Sequence, residues 1–136
     1  MNGERGSITL WVLGLCVALL FLGGLSLDLW RAVGDRRELA SMADAAATAG
    51  ANGVDEQQLR AGHLLLDPAR AEQLARATLA EFPHAGALAS VSISVYGNTV
   101  TVTLRDRVPF SLLGVFMAGQ QFDVTVHASA VPQERG

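Results

Sequence analysis

Lysine is absent from this 136-residue chain, and all ten of its basic side chains are arginines. With thirteen acids the formal charge is −3, so there is no basic tract to follow a phosphate backbone, and nucleic acid is not an expected partner. The glycines are dispersed and no lysine reaches toward them, which removes the usual phosphate-cradling loops. A single cysteine, Cys16, rules out an intrachain disulfide and leaves the redox compartment unspecified. It lies in an apolar run, where a small packing residue is its ordinary role. Proline is missing between Asp28 and Ala51, and charge is missing altogether from Ile8 to Leu27.

That uncharged run, ITLWVLGLCVALLFLGGLSL, has the length and composition of a membrane-spanning helix. Bilayer hydrocarbon requires roughly 20 apolar residues at about 1.5 Å each, with every backbone polar group satisfied inside the segment. A removable signal sequence fits less well. Its apolar part would span roughly 7–15 residues and end at a small-x-small site, whereas the nearest such site, Ala43-Asp44-Ala45, lies beyond six charged residues. An uncleaved anchor is therefore expected. Arg5 precedes the span and Arg31, Arg36 and Arg37 follow it, so charge counting leans toward a cytoplasmic C-terminus and leaves topology open.

Beyond the span the helix is expected to continue, because alanine recurs at eight positions from Ala32 to Ala51. Asp28 and Arg31, or Arg31 and Asp35, are spaced to pair along one stripe. Leu39, Met42, Ala43 and Ala46 form another stripe, narrow enough for close approach of a second helix. On this reading Ala43→Leu would spare the monomer's fold and weaken its contact with a partner. Gly50 and Asn52-Gly53 are the stop signals. An unbroken helix from Ile8 to Ala51 would measure about 66 Å.

The expected organisation is a short tail at 1–7, a membrane helix with its extension at 8–51, and one small α+β domain at 52–136. Asp67 is a suitable N-cap with Pro68 at the first helical position, and Ala71, Leu74, Ala75, Thr78, Leu79 and Phe82 share one face of the helix that follows. Residues 55–66 stay unassigned between a helical turn at Glu56 to Leu59 and an extended link. From Val91 the period changes to two, and Gly97-Asn98 supplies a two-residue turn. That turn sets Val95 opposite Val100, Ile93 opposite Val102 and Val91 opposite Leu104, with all six on one face. Phe122, Val124, Val126, Ala128 and Ala130 read as a third strand. The fold expected is a long N-terminal helix leading to a further helix packed on a three-stranded antiparallel sheet. Val108 to Gly119 is apolar without a period; a core-filling connection and a partner-facing or membrane-surface patch both fit it.

Signs of chemistry are few. His63, His84 and His127 are scattered without metal-ligand spacing. Gly24-Leu25-Ser26-Leu27-Asp28 lacks the second glycine of a nucleophile elbow and lies in the apolar run. Asp55-Glu56 reads as a solvated acidic step. No active site, cofactor, metal or small-molecule substrate is expected.

Arg5-Gly6-Ser7, the apolar helix with Gly24, Asp28, Arg31 and Arg37, then Leu39 and the Ala43-Asp44-Ala45-Ala46 string, together resemble the N-terminal segment of the Tad (tight adherence) TadE/TadG-like pilus-assembly proteins. The resemblance covers roughly residues 5–51. It implies a pseudopilin-like, non-enzymatic component of a type IVc pilus or related secretion system, anchored in the cell (inner) membrane by a single pass with its C-terminal domain outside. Its implied partners are the lipid bilayer and other pilus or secretion-system subunits, met through Gly14, Ala18, Gly24, Asp28, Arg31, Leu39, Ala43, Asp44 and Ala46. Processed members of the group are cut after a glycine and carry Glu fifth in the mature chain; cutting after Gly6 would put Trp11 there. An indole does not offset a neighbour's amino terminus as a carboxylate does, which places the chain nearer the TadG-like side. A membrane-tethered ligand-binding or regulatory module is the second function class. It would ask only hydrophobicity of the helix.

Overall fold

The computed structural model describes residues 4–109 and 121–133. In chain order these form helices α1 (Glu4–Ala51), α2 (Glu56–Arg60) and α3 (Pro68–Ala80), a 3-10 turn at Ala85–Ala87, and strands β1 (Ser90–Tyr96), β2 (Thr99–Pro109) and β3 (Gln121–Ala130). This is the α+β architecture expected: a long N-terminal helix, then a helix with a three-stranded antiparallel sheet of order β1-β2-β3. Of the apolar connection at 108–119, only Val108 and Pro109 are described. Val108 packs against the core; the remainder lies outside the described residues.

The described residues fall into two units. One is built on α1 as far as Gly34; the other comprises Asp35–Val108 and the chain from Phe122 onward. Helix α1, from Ser7 onward, is long and apolar enough to cross a membrane. Its large side chains point outward, Trp11 and Trp30 being 74% and 78% exposed. In water such a surface would be costly at about 25 cal/mol per Å² of apolar area, whereas in lipid that cost disappears.

The second unit has one apolar core. Leu39, Met42, Ala43, Ala46 and Ala47 enter it from α1; Ala71, Ala75 and Leu79 from α3; Val100, Val102 and Leu104 from β2; Val124 from β3. The hairpin pairs Val95 with Val100, Ile93 with Val102 and Val91 with Leu104, so turn length and alternation fixed the same register. Gly97 has φ +57°, which a glycine adopts without steric cost. Asp67 caps α3 as expected, its Oδ1 accepting from the N–H groups of Ala69 and Arg70 at 3.0 and 3.3 Å. The helix ends at Ala80, with Glu81 as C-cap, three residues before Pro83.

The segment between α1 and α3 is a built loop. Asp55, read from sequence as a solvated acid, caps α2 by accepting from Gln57 and Gln58 N–H at 2.9 and 3.2 Å. Glu56 pairs with Arg70 across an exposed 3.1 Å contact. An isolated bridge joins Val54 to Leu66. The Asn98 amide then receives the Leu66 N–H and donates to the Leu64 carbonyl, fastening the loop to the hairpin turn.

Candidate assembly surface

A helix contact surface in lipid needs small residues on an open face, since close backbone approach replaces the hydrophobic drive that lipid removes. Gly14 and Ala18 meet that requirement. They are one helical turn apart, both exposed, and a Cβ built on Gly14 would touch nothing within 4 Å. Gly24 and Asp28, also one turn apart, are buried, Asp28 at 8% exposure. Arg31 is exposed, and both it and Asp28 are engaged in interactions.

The second half of the nominated set sits elsewhere. Leu39, Ala43 and Ala46 lie inside the domain core, Ala43 and Ala46 with no exposed surface. Asp44, between them in sequence, faces solvent. The small-residue stripe that reads as an open helix contact is therefore covered by the chain itself, and overfilling Ala43 strains the monomer before any partner is met. Small residues permit close packing wherever the partner comes from, so their spacing does not distinguish an internal neighbour from an external one.

Two residues read only as stop signals belong to this contact. A Cβ on Gly50 would lie 2.9 Å from Val100 Cγ1 and 3.1 Å from the Ala71 carbonyl oxygen, and one on Gly53 would lie 2.7 Å from the Ala71 backbone nitrogen and Cα. Three elements meet there: the end of α1, the first turns of α3, and β2. The matching signal was present in α3, where Ala71 and Ala75 supply a second small-residue pair at helical spacing.

The other face of the sheet is polar. Thr101 meets Ser129 at 3.0 Å, Thr103 meets His127 Nδ1 at 2.9 Å, Arg105 donates to Thr125 at 3.3 Å, and Arg107 approaches Asp123 at 3.6 Å. These pairs step in opposite directions along β2 and β3, as antiparallel neighbours do. His84 stands 2.9 Å from Glu38, and His63 is exposed. Among the described residues no three His, Cys, Asp or Glu side chains are placed to hold a metal ion.

Comparison with family models finds a match that covers most of α1 and the two residues after it. Residues 6–53 match the Tad model, "Putative Flp pilus-assembly TadE/G-like". Comparison with curated proteins and with solved structures returns no match. The Tad segment begins just before the apolar span and ends at Gly53, where an added Cβ would lie 2.7 Å from the Ala71 backbone of α3. It thus includes both the lipid-compatible face and the small stripe that builds the domain core. This family domain supports a pilus-assembly role for the chain.

Proposed function

We propose that the chain is a membrane-anchored, pseudopilin-like assembly component of a tight-adherence (type IVc) pilus or a related secretion system. The observation that carries this reading is the coincidence of the Tad match, residues 6–53, with an apolar outward-facing helix. The role is structural. In this proposal the helix crosses the cell membrane once and the domain after Ala51 stands outside the cytoplasm. Contact with neighbouring subunits runs through the open part of the nominated set: Gly14 and Ala18 within the bilayer, and Arg31 and Asp44 beyond it. Leu39, Ala43 and Ala46 act indirectly, by holding the domain together at the end of the helix.

A photoreactive residue at Ala18, activated in native membranes, tests this directly. The expected result is a specific adduct to another pilus or secretion-system subunit, identified by mass spectrometry. Adducts to lipid alone would contradict it, since a helix serving only as a tether has no protein neighbour at that face.

A further inference from the structure

We infer that the outer edge of β1 is a self-association site, taking the β1 edge of a second copy of this chain in antiparallel register. In the sheet β1 lies at an edge, and no described residue makes a backbone hydrogen bond to its outer side. The two-residue turn closes on the Tyr96–Thr99 pair. By the alternation of an antiparallel ladder, Tyr96, Ser94 and Ser92 direct their backbone groups at β2, while Val95, Ile93 and Val91 direct theirs outward. Edge strands of soluble domains are ordinarily blunted by charge, proline or a bulge. Ser90–Tyr96, SVSISVY, has no charge and no proline, and it pairs with β2 residue for residue without a bulge.

The occupant is specified by the sequence of the strand. Val91-Ser92-Ile93-Ser94-Val95 reads the same in both directions. A two-fold axis through Ile93 therefore sets Ile93 against Ile93 of a second copy, Val91 against its Val95, and Ser92 against its Ser94. The central residue of such an arrangement must point its N–H and C=O outward, and Ile93 does. The apolar residues of both copies then share one face and the serines the other, giving the self-complementary patch that a two-fold dimer requires. Val91, Ile93 and Val95 are only half-buried in the single chain, and a second strand would cover their open flank.

The test uses the full chain in detergent, with oligomeric state read by native mass spectrometry across a dilution series. Wild type is expected to form dimers. Ser92→Lys with Ser94→Lys places like charges opposite each other at two positions and should weaken the dimer about tenfold or more. Ser92→Lys with Ser94→Glu places opposite charges at both positions and should restore it. All of these side chains lie on the exposed face, and circular dichroism confirms that the monomer fold is kept. In a Cys16→Ser background, Ile93→Cys should be bridged between copies by a short bismaleimide. A wild type that stays monomeric, a dimer indifferent to both charge designs, or Ile93→Cys copies that do not cross-link would overturn the proposal. The designs alter the strand and leave the anchor untouched, so the result does not depend on the membrane reading.

Discussion

At the scale of single residues, side-chain size is the controlling variable where α1 meets the domain. Ala43 has no exposed surface, and its neighbour Asp44 is open to solvent. Ala43→Leu adds three carbons to a filled space and should destabilise the domain by about 1–3 kcal/mol. For a unit of this size that is a fall in melting temperature of roughly 4–8 °C per kcal/mol. Asp44→Ala should stay within about 0.5 kcal/mol of wild type. Thermal melts of the full chain in detergent distinguish the two, and equal melting temperatures would mean that the core does not close around Ala43. Gly50 and Gly53 follow the same rule, because a methyl group at either would press on the Ala71 backbone or the Val100 side chain.

At the scale of elements, what could be read from sequence depended on whether two independent signals agreed. The β1–β2 register was legible because alternation and turn length each specify it. Helix α3 was legible because cap, proline and apolar face coincide. Helix α2 was legible only as one of two alternatives, a turn at Glu56 to Leu59, because five residues are too short to show a period; in the fold Asp55 caps it by accepting two N–H groups. The destination of the Leu39, Ala43 and Ala46 stripe was not legible, because it is decided by Ala71 and Ala75 far along the chain. Asn98 shows the same limit. In sequence it is half of a turn, whereas in the fold its amide ties Leu64 and Leu66 to the hairpin. Removing it in Asn98→Ala leaves a part-buried N–H and carbonyl to find other partners, at a cost of about 1–3 kcal/mol. Amide exchange should then accelerate at 54–66 while Val100 to Leu104 stay protected. Uniform acceleration across the domain would show that the loop is not a separable unit.

At the scale of the whole molecule, α1 supplies an apolar stretch suited to lipid and, further along, side chains of the domain core, and the family match spans both parts. Orientation is the first consequence of the proposed role. A reporter enzyme active only after export, fused at Gly136, should be active, and activity confined to a cytoplasmic reporter would reverse the topology. In this proposal the apolar span does more than tether, since a tether requires hydrophobicity alone while an assembly component requires particular small residues at particular positions. Replacing residues 8–27 with an unrelated leucine-rich span of equal length keeps the former and removes the latter. The most direct measurement is surface piliation, or secretion where no pilus is made, in cells carrying that replacement at wild-type membrane level. Assembly should be lost; full assembly on the replaced span would show that the helix is only a tether.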